Sequence, residues 1–171
     1  MKKVLTLLLV LFGCVKVPKG VEPVTGVNLN RYLGKWYEVA RLDHSFERGL
    51  TDVTAEYSLE KDGKVAVVNR GYDPLKKKWS EAKGRAYFVE NMSDRGFLKV
   101  SFFGPFYGSY VIADLDKENY QYALVCGPDR SYLWILARTP GLGDEVKDRL
   151  LKKAKKLGFE TEKLIWVKHG N

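Results

Sequence analysis

From Trp36 to Arg138 the chain alternates short runs rich in β-branched and aromatic residues with turn signals. That alternation constrains the fold more than any other feature of the sequence. The runs read as strands over Trp36–Arg41, Val53–Glu60, Lys64–Arg70, Trp79–Val89, Phe97–Phe103, Tyr110–Leu115, Tyr120–Cys126 and Tyr132–Arg138. Between them stand Asp62-Gly63, Asp73-Pro74, the polar residues 91–96, Gly104-Pro105, the run 116–119 and Gly127-Pro128-Asp129. Asp-Gly between β-prone runs is a hairpin signal, and Asp-Pro opens a turn. Eight strands in this order need only hairpin connections. An antiparallel set of that size can close on itself, which leaves no exposed sheet edge.

After Pro140 the period changes. Val146, Leu150, Ala154 and Leu157 recur at i, i+4, i+8 and i+11, the spacing of one helix face. Asp144 and Glu145 lie in the first turn of that helix, and Lys155 and Lys156 in its last, as the helix dipole favours. Gly158 supplies a stop, and Leu164–Val167 reads as a last short strand. The fold class that follows is all-β, an eight-stranded antiparallel up-and-down barrel. One C-terminal α-helix lays its apolar stripe on the outside. With 171 residues, 45% of them hydrophobic, the chain has the material for one domain with a real core.

The chemistry-bearing residues are few. Two cysteines, Cys14 and Cys126, and two histidines, His44 and His169, exclude a disulfide scaffold and an all-cysteine zinc site. A mixed metal site would need all four, and no two are closely spaced, so no metal or other cofactor is expected. Gly-x-Ser-x-Gly, His-Glu-x-x-His and P-loop patterns are all missing from the sequence. The net charge of +8 suits anionic lipid headgroups or nucleic acid without choosing between them.

The N-terminus narrows that choice. Lys2 and Lys3 precede nine residues, Val4 to Phe12, that are apolar apart from Thr6. The run is too short to span a bilayer and fits the core of a secretory signal. Leu11-Phe12-Gly13-Cys14 then resembles a bacterial lipobox, in which the cysteine becomes the lipidated first residue. Residues 1–13 are read as a signal peptide, 14–28 as a lipidated N-terminus and tether, and 29–171 as the barrel domain. Val15 follows the cysteine where the inner-membrane retention signal of Gram-negative lipoproteins has Asp, so the resemblance to those lipoproteins implies the outer membrane. Export argues against nucleic acid, so Lys76-Lys77-Lys78 and Lys152 to Lys156 read as solvated faces that meet anionic headgroups. With Cys14 acylated, Cys126 reads as a small apolar residue near a strand end.

Three ordered segments then carry a family resemblance. Asn30-Arg31-Tyr32-Leu33-Gly34-Lys35-Trp36-Tyr37-Glu38-Val39-Ala40-Arg41 resembles the first lipocalin signature, built on Gly-x-Trp. Val111 to Asp116 is similar to the second, with Ala-Asp-Leu in place of Thr-Asp-Tyr. Leu136-Ala137-Arg138 matches the third. Segments 124–130 and 132–140 resemble the bacterial outer-membrane branch, relatives of apolipoprotein D. The resemblance implies that Gly34, Trp36 and Arg138 are structural. The guanidinium would lie over the indole where the first and last strands meet, closing one end of the barrel.

Strand parity taken from the same resemblance turns Ala55, Tyr57, Val65, Val67, Asn69, Ala82, Ala86, Phe88, Leu98, Val100, Phe102, Tyr110, Ile112, Ala123, Val125, Tyr132, Trp134 and Leu136 inward. Of these, Tyr57, Val67, Ala86, Phe88, Val100, Phe102, Tyr110, Tyr132 and Trp134 are the candidate ligand-binding residues. The set is apolar with polar tips, and its alanines leave room for an acyl chain. The competing reading is a filled core. Arg41, Asp43, His44 and Arg48 fall in the first long loop as solvated charges, of which Arg48 could meet a phosphate. Phe102 to Tyr107 reads as a strand end plus turn, or as a hydrophobic rim at the mouth or at a homodimer contact. The function expected is that of a non-enzymatic, palmitate-bearing lipoprotein, anchored to the outer membrane and facing the periplasm. It would bind and store or transport a small hydrophobic ligand, a fatty acid or lysophospholipid, in envelope maintenance or stress. A lipocalin-fold enzyme acting on a lipid-like molecule is the alternative.

Overall fold

The computed structural model describes residues 15–89 and 93–170. The expected signal peptide and Cys14 lie outside them, as do residues 91 and 92 of the expected polar turn. Nine strands follow in order: β1 (Gly34–Arg41), β2 (Thr51–Leu59), β3 (Val65–Asp73), β4 (Lys78–Phe88), β5 (Phe97–Phe103), β6 (Phe106–Leu115), β7 (Tyr122–Cys126), β8 (Leu133–Ala137) and β9 (Ile165–Trp166). Consecutive strands β1 to β8 pair antiparallel, and β8 returns to β1 with Tyr37 opposite Ala137 and Arg41 opposite Trp134. The eight strands therefore close into a barrel. Strand β9 sits outside, pairing Ile165 and Trp166 with Arg41 and Ala40.

The eight barrel strands fall where the sequence reading places them, with most ends shifted by no more than two residues and two longer extensions, β3 running on to Asp73 rather than Arg70 and β6 lengthened at its start. β6 begins at Phe106 rather than Tyr110, because Gly104-Pro105 makes a tight hairpin with Phe103 opposite Phe106. The helix forms as α2 (Asp144–Lys156), with Leu150 and Ala154 fully buried. They pack on the outer face of the barrel against Val111, Leu124, Leu133 and Ile135. Arg130 in the β7–β8 turn donates from Nε to the Leu157 carbonyl at 2.8 Å, satisfying one of the carbonyls left open at the helix end.

Two features are additions to the sequence reading. A single helical turn, α1 (Leu29–Tyr32), precedes β1, with the Asn28 side chain accepting from the Arg31 amide. Gly34 then takes φ +92°, a left-handed conformation that lets the chain swing from α1 into β1. Residues 15–28, expected as a tether, are held along the barrel. The Val24 amide donates to Ile112 and the Val24 carbonyl accepts from Gly96, while the Val27 amide donates to Asp94. Val17, Val21, Val24 and Val27 recur every three or four residues and turn one apolar side to the barrel, with Val21 and Val27 buried. The two prolines and two glycines of this stretch masked that periodicity.

Candidate functional site: the barrel cavity

The closed end is built around Arg138. Its guanidinium lies 3.9 Å from the centre of the Trp36 indole. Its Nη2 donates to the carbonyls of Arg31, Tyr32 and Leu33, Nη1 to Lys35 and Nε to Tyr120, all between 2.8 and 3.2 Å. Trp36 is fully buried and donates from Nε1 to the Tyr32 carbonyl at 2.7 Å. One arginine thus ties α1, β1 and the β6–β7 turn together beneath the barrel. A lysine could supply the charge but not the planar fork that reaches several carbonyls at once.

Above this closure the interior has two zones. The lower barrel is packed around Trp36 and Ala123, with Val65, Ile112 and Leu136 reaching up from it to the cavity wall. Higher up lies a cavity of about 790 Å³, within the usual range for a small-molecule site. All nine candidate residues line it: Tyr57, Val67, Ala86, Phe88, Val100, Phe102, Tyr110, Tyr132 and Trp134. Of the wider inward set, Ala123 sits in the filled zone and the others reach the cavity wall. Gly84 keeps β4 and β5 close there. A Cβ on it would stand 2.7 Å from the Phe102 ring and 2.6 Å from the Ser101 carbonyl.

Polar groups enter at two levels. Near the floor, Tyr110 bonds through its hydroxyl to Tyr32 at 2.7 Å and to Tyr57 at 2.9 Å. Burial pushes all three phenols above their ordinary range, so the group stays neutral. Further up, Asn69 Oδ1 is buried with no protein partner among the described residues.

The second level is a charged knot where β1 runs into the 42–50 loop. Glu38 bonds Arg41 at 2.7 Å, and Arg41 also donates to the carbonyls of Glu47 (2.7 Å) and Leu50 (3.3 Å). Glu47 Oε2 lies 3.1 Å from both Trp134 Nε1 and His44 Nε2. Burial first, then the charge of Glu47, push the Glu38 carboxyl well above its ordinary range, and Arg41 pulls it partly back. For Glu47, burial pushes upward, but the adjacent His44 imidazole, the hydrogen bond from Trp134 and the charge of Arg41 outweigh it and lower the carboxyl. His44 stacks on Phe46 at 4.0 Å and leans on Trp134 at 5.2 Å, so the loop lies over the mouth on aromatic contacts.

This level corrects the expectation of solvated loop charges. Arg41 is the last residue of β1 and is 1% exposed. His44 is buried on the cavity wall, while Asp43 and Arg48 pair with each other in solvent. Glu38, Glu47 and Tyr32 were not singled out as wall residues. Glu38 was accessible to parity, being two residues from the inward Trp36 on one strand.

The arrangement offers an apolar slot with a hydroxyl floor and charges confined to the mouth. His44 faces the Glu47 carboxylate and the rings of Phe46 and Trp134. Cys126 is a buried member of the core beneath α2, and burial pushes its thiol up to about 12.

The Lipocalin-like domain family matches residues 27–169, nearly the whole described chain. The chain is a lipocalin. It is 57% identical over 155 residues to the outer membrane lipoprotein Blc of Vibrio cholerae, covering 91% of this chain and 90% of that protein. Blc of Escherichia coli is 55% identical over 150 residues, at 88% and 84% coverage. Mouse apolipoprotein D is 31% identical over 151 residues, at 84% and 78%. Among solved structures, insecticyanin from the tobacco hornworm superposes with a TM-score of 0.74 at 20% identity, covering 92% of this chain and 89% of that one. That likeness shows the lipocalin barrel fold. The three signatures around Trp36, Asp114 and Arg138 thus belong to the family they resemble, and the bacterial relatives are those their sequence suggested.

Proposed function

We propose that this lipocalin binds the acyl chain of a fatty acid or lysophospholipid in its barrel, and stores or carries it without chemical change. The carrying observation is the cavity of about 790 Å³, walled by apolar side chains and open at the end where its charges gather. A lipid tail entering it removes apolar surface from water, at about 25 cal/mol per Å². The polar headgroup stays at the mouth, within reach of water and of the Glu38–Arg41–Glu47 knot. Tyr57, Val67, Ala86, Phe88, Val100, Phe102, Tyr110, Tyr132 and Trp134 are the proposed contacts.

The place of action follows from the lipobox and from the relatives' name, outer membrane lipoprotein. Cleavage before Cys14 and acylation of that cysteine would hold the protein on the outer membrane, facing the periplasm, where a lipid carrier serves envelope maintenance or stress. Native mass spectrometry of protein purified without detergent, followed by lipid extraction, tests the ligand and counts chains per particle. The expected result is a lipid adduct with one acyl chain per barrel. Unliganded protein that also fails to take up added lysophospholipid overturns the reading. For the anchor, Cys14→Ser should release the protein into the soluble fraction, and unchanged membrane partition would contradict it.

A further inference from the structure

We propose that the open end of the barrel docks on an anionic lipid bilayer, with Leu75, Phe103 and Phe106 entering the headgroup layer and Lys76, Lys77 and Lys78 meeting lipid phosphates. The proposal rests on the reading of Cys14 as the anchor and adds the orientation of the bound barrel. Its first ground is the surface of that end. Leu75 is 93% exposed at the tip of the β3–β4 turn, and the three following lysines are exposed with it. Phe103 is 70% exposed, and with Phe106 it flanks the Gly104-Pro105 hairpin on the same rim. Apolar side chains held out in water beside a basic cluster match an interface whose surface is anionic and whose interior is apolar. Lys76 is partly neutralised by Asp73 at 2.9 Å. The chain as a whole carries +8.

The second ground is where the chain leaves the described structure. The Lys16 amide donates to Ser109 Oγ at 2.8 Å, and that hydroxyl donates back to the Lys16 carbonyl at 2.7 Å. Ser109 lies three residues along β6 from Phe106, at the open end. Arg130 in the β7–β8 turn, at the same end, donates to the Lys19 carbonyl. Residues 15–28 therefore run from the mouth down to the closed end. Cys14 stands two residues before Lys16, at most about 7 Å away along the chain. An acyl anchor there pulls the mouth toward the membrane, and strands of this length set the closed end roughly 25–30 Å further off. In that pose a lipid tail passes between bilayer and cavity without crossing water.

The test uses the full lipidated chain reconstituted on vesicles, with a fluorophore on Leu75→Cys or, as the closed-end control, on Lys61→Cys. Cys126 is buried and Cys14 acylated, so labelling is confined to the new thiol. On vesicles of phosphatidylethanolamine with phosphatidylglycerol, the Leu75→Cys label should shift to the blue, be quenched by spin-labelled lipid and be shielded from iodide. The Lys61→Cys label should remain open to iodide. Combining Lys76→Glu, Lys77→Glu and Lys78→Glu should cut lipid quenching severalfold, and phosphatidylcholine vesicles should give the weaker response. Co-sedimentation with equal iodide access at both positions overturns the docking and leaves the anchor standing. A blue shift at Leu75→Cys without vesicles assigns the rim to a second copy of the chain and overturns it as well. Failure of the unlabelled chain to co-sediment overturns anchor and docking together.

Discussion

Replacing Arg138 by methionine isolates the barrel closure. The substitution keeps an unbranched side chain over the Trp36 indole and removes the charge and all five carbonyl contacts. Nη2 divides two N–H groups among three carbonyls, so the set amounts to about four donated hydrogen bonds. At about 0.5–1 kcal/mol net each, they are worth about 2–4 kcal/mol. The cation–π contact adds about 0.5–1 kcal/mol at a half-exposed site. Arg31 and Lys35 are exposed, so water takes over part of what their carbonyls lose. The expected cost is therefore about 2–4 kcal/mol, or a fall in Tm of roughly 5–15 °C for a fold of this size. Urea unfolding followed by tryptophan fluorescence reads the cost, with an unchanged m-value showing that the folded state is the same. Arg138→Lys should recover no more than about 1 kcal/mol, since it restores charge without the fork. A loss under about 0.5 kcal/mol for Arg138→Met would refute the closure argument.

Arg41→Met leaves Glu38 and Glu47 facing each other without their cation and should cost about 3–5 kcal/mol in urea unfolding; a neutral result would show that water already screens the knot. Glu38, held above its ordinary range, takes up a proton in the folded state at a pH where the unfolded chain is still ionised. Its contribution to stability therefore grows as pH falls from the raised value toward the ordinary one and shrinks as pH rises. Glu38→Gln should abolish that gain, and superimposable urea-midpoint profiles for the two proteins would contradict it. Glu47 titrates in the opposite sense, contributing above its ordinary value and losing that contribution as pH falls through the lowered one. With its thiol pushed up to about 12, Cys126 is ionised to about one part in ten thousand at pH 8. Iodoacetamide should modify it only in urea, and rapid alkylation of the native protein would mean the site opens.

What could be read from the sequence was local or repeated. Alternation within each strand placed Tyr57, Val67, Ala86, Phe88 and Trp134 on the cavity wall, because one parity choice settles a whole strand. The spacing of Leu150 and Ala154 gave the outer helix in the same way. The features that escaped join residues far apart in the chain. Trp134 meets Glu47 across 87 positions, Tyr32 meets Tyr110 across 78, and Lys16 meets Ser109 across 93. Sequence pattern does not show which polar tips converge once a barrel closes, so the hydroxyl floor and the charged mouth needed the structure. Arg41 escaped for a different reason, since its partners are near in sequence. An arginine next to a loop ordinarily faces water, and it is the Glu38 carboxylate together with the carbonyls of Glu47 and Leu50, folded back over it, that makes burial tolerable.

The central claim is that an acyl chain occupies the barrel, and a chain-length series tests it most directly. The full-length protein is titrated with fatty acids and lysophospholipids of increasing length while tryptophan emission is followed. Trp134 lines the cavity and Trp79 stands outside the barrel wall against Arg70, so Trp134→Phe should remove most of the response and Trp79→Phe little. Affinity should rise by up to about 0.8 kcal/mol per added CH₂ until the cavity is full, then level off. Ala86 is buried between Val65 and Val100, and Ala86→Trp should bring that plateau to shorter chains. The absence of saturable binding by any member of the series, or the same plateau length in Ala86→Trp, would contradict the account.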